Sequence, residues 1–346
     1  MTLHPLTIAH WNQVKGIYEQ GIASGDATFQ TDVPSWKEWH QTCLPHSRLV
    51  AVDEGYAGFA NYLWQELTFG YTYKPWYENY LYALLLISLL FFGLEYLRPW
   101  RTEQPKFRTD FWTDIFYMFF NFFLFWLIGY NAVSSVVVLL LNDALCACFG
   151  IQNLVAVQLG QLPHWAILCI GLVVNDFVQW GTHCLLHRYE WLWQFHKLHH
   201  STKNMDFLAH LRYHWMETVV YRVIGYFPLA LLGVGLYDFF IIHIFTLAVG
   251  HFNHSNIKIN LGFLKYVFNN PQMHIWHHAK TIPDRYGVNF GITLSIWDYI
   301  FGTAYLPHDG RDIELGFDDD AEFPQNIRAQ LRYGIAAKAE KTTTDL

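Results

Sequence analysis

The chain has 346 residues, of which 53% are hydrophobic, 18% aromatic and only 15% charged. Ordinary soluble domains carry about 25% charged residues and disordered chains are apolar-poor, so disorder is excluded and the composition points towards a membrane. A net charge of -7 with 22 Lys+Arg leaves no basic surplus for tracking phosphates, which argues against a nucleic-acid partner.

The first 60 or so residues differ from the rest. No basic stretch followed by an apolar run and a small-residue cleavage site is present, so a signal peptide is not expected. Residues 14–25 predict a helix, 35–42 an acidic and aromatic turn region, and 48–52 a short apolar strand, together a small α/β-like fragment. The runs IYEQGIASGDATF (17–29), VPSW (33–36) and PHSRLVAV (45–52) resemble the N-terminal third of GNAT acetyltransferases of the phosphinothricin acetyltransferase type, over residues 3–60. In that family a strand and a Gly-rich loop for the coenzyme A pyrophosphate follow, whereas here apolar sequence begins. Residues 1–70 are therefore expected to be an incomplete fragment without acetyltransferase activity.

Long apolar runs then dominate. Residues 80–97 carry one charge, Glu95; residues 111–141 carry one, Asp114; residues 162–181 carry one, Asp176. A span needs about 20 predominantly apolar residues, so about three long transmembrane helices are predicted. The next apolar stretch, 218–250, is interrupted by Pro228, Gly233, Gly235 and Asp238, which suits a short hairpin returning to the face it left. Arg98, Arg101, Lys106 and Arg108 follow the first run, nine Lys/Arg from Arg188 to Arg285 accompany the later segments, and residues 142–161 have none. By the positive-inside tendency, the later segments face the cytoplasm.

Histidine is the anomaly: 13 of 19 fall between His183 and His278. They form His183/His187, His196/His199/His200, His251/His254 and His274/His277/His278. Residues three and four apart share a helix face, so each cluster presents two or three imidazoles to one point. Ten such ligands exceed one tetrahedral ion, and the five cysteines, without a C-x-x-C pair, stand outside the pattern. Imidazole suits iron, zinc, copper and nickel alike, so ligand type leaves the metal open. Two six-coordinate ions with open positions fit the count, and redox chemistry is the usual reason for open positions.

The runs NDFVQWGTHCLLHR (175–188), LWQFHKLHHS (192–201), HSN (254–256), PQMHIWHH (271–278) and SIWDYIFGT (295–303) resemble the fatty acid hydroxylase / sterol desaturase superfamily over residues 80–307. The resemblance implies an all-α integral membrane protein with a cytoplasmic helical cap carrying the histidines. It further implies two iron ions, dioxygen as co-substrate, and hydroxylation or desaturation of a lipid such as a sterol, fatty acyl chain, carotenoid or ether lipid. With no heme, iron–sulfur or nicotinamide motif in the sequence, an external electron donor of the ferredoxin or cytochrome b5 type is expected, and the location is a bacterial inner membrane. Expected domains are 1–70, the enzyme at 71–310 and a polar tail at 311–346. Rival readings are a dizinc hydrolase of a lipid ester or phosphate, or a non-catalytic membrane metal-binding protein.

Around the ligands, Asp176 stands two helical turns before His183 and is expected to accept the far N–H of a ligand imidazole. His214 and Glu217, in LAHLRYHWME (208–217), and Asn253 are further candidates for supporting contacts. His210 is a weaker one, and His243 reads as a packed histidine.

Overall fold

The computed structural model describes residues 79–132 and 162–335 continuously, with shorter stretches within 2–24, 33–37, 49–52, 64–68, 146–148 and at 159. Two compact units divide at Asn79 and Tyr80. The first holds β1 (Thr2–Pro5), α1 (Trp11–Ser24) and β2 (Leu49–Val52), with β1 and β2 paired antiparallel so that Leu3 opposes Ala51. The expected turn region at 35–42 lies largely outside the described residues.

The second unit is helical: α2 (Tyr80–Leu97), α3 (Phe111–Ala132), α4 (His164–Arg188), α5 (Glu190–His200), α6 (Trp215–Leu231), α7 (Leu236–His254), α8 (Pro271–His277), α9 (Ile296–Phe301) and α10 (Ile327–Arg332). Among the described residues two helices, α2 and α4, are long and apolar enough to cross a membrane. Helix α4 has 25 residues, about 37 Å at 1.5 Å per residue. His183 and His187 lie in its last two turns. Helix α3 begins at Phe111, and the expected continuation from 133 to 141 lies outside the described residues.

The interrupted stretch 218–250 resolves into α6 and α7. Gly233 takes φ 66 in the turn between them, a conformation open to glycine at no steric cost. Helix α7 packs on α2 and α4 and brings its C-terminus, with His254, onto the end of α4. Leu81, Leu84, Phe111, Phe122, Phe207 and Leu247 form the main apolar core.

Two expectations change. The tail drawn from residue 311 is part of the fold up to residue 335: Phe317 and Phe323 pack with Tyr117 and Leu198, and the Tyr117 hydroxyl donates to Gln330 Oε1 at 3.0 Å. Two of the basic residues counted for orientation are internal. Arg108 is buried, donating to both oxygens of Asp206 at 2.7 Å and pairing with Asp114, and Arg212 pairs with Asp110 and Asp114. A buried guanidinium needs such partners, so these cations tie the loop after α2 to the segment after α5 and add nothing to the surface field.

Candidate metal centre

Nine of the ten expected histidines form two adjoining groups. His183, His187, His196, His200 and His277 make the first, and His199, His254, His274 and His278 the second; within each group one ring nitrogen per residue lies within 4.8 Å of the others. The rings of His200 and His278 stack at 4.4 Å and so link the groups. Helix α4 supplies two of these histidines, α5 three, α7 one, and α8 with its C-cap three. Helix α8 is short, and it is fixed at its start by Pro271 in the first turn and by Asn270, whose side chain accepts from Met273 N.

Hydrogen bonds fix the tautomers. Nδ1 of His183 donates to Phe290 O, that of His277 to Val288 O, and that of His254 to Gly250 O, each at 2.8 Å; His196 Nδ1 donates to Glu217 Oε1 at 2.9 Å. A carbonyl only accepts, so Nδ1 carries the proton and Nε2 holds a lone pair. Yet His183 Nε2 lies 3.1 Å from His196 Nε2, and His254 Nε2 lies 3.2 Å from His199 Nε2 and 3.0 Å from His274 Nε2. For His183 and His196 both Nδ1 protons are spent outward, so two lone pairs face each other and repel unless a cation lies between them, whereas the Asn269 amide faces His274 Nδ1 as a donor at 3.4 Å and leaves His274 Nε2 to donate to His254. In addition, His187 Nε2, His199 Nδ1 and both nitrogens of His278 are buried without a hydrogen-bond partner. Orphaned donors and a neutral imidazole set fit a pair of transition-metal ions.

Burial is the largest cause that holds His196, His199, His200, His274, His277 and His278 well below the ordinary imidazole range, with repulsion from neighbouring imidazoles adding to it. Both effects favour the neutral imidazole, the form a metal requires.

The remaining expected residues fall elsewhere. His251 lies outside both groups: its Nε2 is 3.0 Å from Ser88 Oγ and its Nδ1 3.0 Å from His210 Nδ1. Asp176 does not meet an imidazole. Its carboxylate accepts from Thr293 N, Leu294 N and Trp297 Nε1 at 2.9–3.0 Å, which holds the loop after α8 against α4. His214 turns away to Leu331 O at 3.1 Å, and Asn253 donates to Ile292 O at 2.5 Å. Glu217 alone of the four supporting candidates bonds a ligand directly. His243 meets the Tyr80 hydroxyl at 3.0 Å.

Asp298 is a supporting residue the sequence reading missed. It accepts from Phe290 N at 2.9 Å, Gly291 N at 2.8 Å, Trp180 Nε1 at 3.0 Å and Thr303 Oγ1 at 2.6 Å. It thereby fixes the segment whose Val288 and Phe290 carbonyls orient His277 and His183. Its place in SIWDYIFGT was the available signal. A small cavity of about 20 Å³ adjoins the ligands, lined by His183, His254, His210, Tyr213, Tyr221 and Asn253 among others, room for about one water-sized molecule.

Residues 168–303 match the fatty acid hydroxylase family. That segment contains every residue of both histidine groups. The ornithine lipid hydroxylase OlsE of Rhizobium tropici is 32% identical over 181 residues, 52% of this chain and 54% of that protein. Alkylglycerol monooxygenases of Xenopus tropicalis and Homo sapiens are 29% and 32% identical over 140 and 132 residues, 40% and 37% of this chain. The matches cover about half the length of the bacterial relative and under a third of the vertebrate ones. No solved structure matches the chain. Family and relatives support the superfamily resemblance carried by the histidine boxes, and the named relatives are lipid oxygenases.

Proposed function

We propose that the chain is an integral-membrane di-iron oxygenase that hydroxylates a C–H bond of a lipid with dioxygen and electrons from a separate donor of the ferredoxin or cytochrome b5 type. The observation that carries this reading is the convergence of nine imidazoles, eight of them buried, into two adjoining groups in which His183 and His196 turn Nε2 lone pairs toward each other at 3.1 Å. Groups of five and four imidazoles exceed the three protein ligands of a catalytic zinc, which disfavours a dizinc hydrolase. Bound at these groups, iron supplies oxygen activation. The protein's own part is to hold the ligands, to exclude water from a buried site, and to fix the Nδ1 protons of His183, His254 and His277 on carbonyls and that of His196 on Glu217 so that their Nε2 atoms point inward.

The relatives named as hydroxylase and monooxygenase favour hydroxylation over desaturation, and they favour a glycerol- or amino-acid-based lipid as substrate. The centre lies on the cytoplasmic side of a bacterial inner membrane in this reading, with three spans and a helix pair above it. Residues 1–70, with their GNAT-like runs, take no part in the reaction. Lipid profiling of membranes with and without the protein tests the proposal: a product one oxygen heavier is expected, and iron should account for the metal in anaerobically purified protein. Oxygen-independent turnover, or zinc as the metal of active enzyme, overturns it.

A further inference from the structure

The 3-10 helix at Gly262–Tyr266 has the sequence GFLKY, and none of its residues is buried. Phe263 is 77% exposed, and Ile259, Leu264 and Tyr266 are exposed as well. Large apolar side chains gathered on one short helix, with nothing packed over them, mark a surface that meets something other than water.

Its neighbours identify what that is. On one side the segment joins the end of α2: Ile257 forms an antiparallel bridge with Pro99, and Trp100 N donates to Asn256 O at 2.8 Å. Leu97, the last residue of α2, is 74% exposed and ends a stripe with Leu86, Leu89, Leu90 and Leu94 along that helix. On the other side Tyr266 meets Tyr299 at 5.0 Å, and Ser295 Oγ donates to Lys265 O at 2.7 Å. The exposed Ile300 and Phe301 follow, and Phe301 stacks on Trp180 at 4.6 Å and Phe177 at 6.2 Å. Phe177 ends the outward face of α4 that begins with Trp165 and runs through Cys169 and Val173 at four-residue steps. The apolar surface is therefore one belt connecting the outward faces of the two helices that are long enough to cross a membrane.

We propose that residues 257–266 and 299–301 form an amphipathic rim seated in the headgroup and upper acyl layer of the bilayer, bridging the lipid-facing sides of α2 and α4. This rests on the reading of those helices as membrane spans and is independent of the metal and of the reaction. Lys106, whose ammonium lies 3.1 Å over the Tyr96 ring, and Lys265, 5.2 Å from the Tyr266 ring, flank the belt as cations suited to anionic headgroups. Tyrosines at the same level are the usual interfacial anchors. The rim is tied to the metal centre: Asn269 N donates to Thr293 O and Ser295 N to Val267 O, and Asn269 and Asn270 lead directly into α8. Seating the rim in the lipid therefore sets the depth of His274 and His277 relative to the membrane surface.

The test places a photoreactive benzoylphenylalanine at Phe263 or Ile300 in the full chain, reconstituted in vesicles of phosphatidylcholine and phosphatidylglycerol. Leu89 on the α2 stripe serves as the lipid reference and Asp312 as the aqueous one. Irradiation should add the mass of one lipid at 263 and 300 with a yield comparable to that at 89, and none at 312. Cross-links between two copies of the chain at 263 or 300 overturn the proposal in favour of a subunit interface. Absence of adducts there, with lipid adducts at 89, shows that the belt faces water. Absence at 89 as well removes the spanning reading and the rim with it, while leaving the metal analysis above untouched.

Discussion

His183 and His196 point their Nε2 atoms at each other across 3.1 Å while their Nδ1 atoms donate outward, to Phe290 O and to Glu217. The outward bonds decide the inward chemistry, because an imidazole that has spent its proton on a fixed acceptor offers only a lone pair on the other side. Glu217 is the one side chain in this scheme that can be removed without touching the backbone. Glu217→Leu is expected to lower metal affinity by about 10–100-fold, the usual effect of losing a ligand's hydrogen-bond partner. Glu217→Gln keeps an acceptor oxygen and should lose less. Competition with a chromophoric chelator reads both; unchanged affinity in Glu217→Leu refutes the role.

His251 and His254 stand three residues apart near the end of one helix, and only His254 falls in the HSN run that carries the family resemblance. In the structure His254 Nε2 enters the second group, and His251 turns to Ser88 and His210. His254→Ala should therefore reduce the metal bound per chain, and His251→Gln should leave it unchanged. Metal analysis of the two purified variants separates them. Equal loss in both returns His251 to the ligand set.

The histidine clusters were legible because helical spacing is visible in one dimension: i, i+3 and i, i+4 pairs need no partner from elsewhere to be recognised. The orienting contacts were not, since Val288, Phe290 and Gly250 act through their carbonyls, and every residue has one. Asp176 shows the limit of same-face reasoning. Spacing placed it on the face of His183, but its oxygens went to amides at 293 and 294, over a hundred residues away, where an unpaired backbone N–H is the stronger demand. The helix pair at 215–254 was legible from Gly233 and Gly235, which stand at its turn, whereas Pro228 lies inside the first helix and breaks nothing. The docking of 311–335 was not, because Phe317, Phe323 and Leu331 are scattered through polar sequence and only the fold brings them onto Tyr117 and Leu198.

Asp298 should matter for stability and for one metal group more than the other. Asp298→Ala strands the buried amides of Phe290 and Gly291, each at a cost of about 1–3 kcal/mol, and frees the segment that orients His183 and His277. Both histidines belong to the five-membered group, so metal should leave that group first. Thermal unfolding together with stepwise metal release follows the two effects. A destabilised variant that releases both ions together would show that Asp298 supports the fold without favouring either group. Asp298→Asn retains acceptor capacity through one oxygen and is expected to fall between wild type and alanine.

Acid should weaken the metal-free protein from the ordinary imidazole range downward. Burial first, and neighbouring imidazoles second, depress His196, His199, His200, His274, His277 and His278 well below 6.5 in the folded chain. Below that value the unfolded chain takes up protons that the folded chain does not, so unfolding is favoured progressively as pH falls; above it neither state binds them and no pH dependence arises from these groups. Bound metal adds a further reason to stay unprotonated, so loading should move the acid loss of stability to lower pH. Unfolding midpoints measured across a pH series, with and without metal, give the comparison. A metal-free protein whose midpoint stays level or rises as pH drops below the imidazole range contradicts the buried, neutral ligand set on which the metal centre depends.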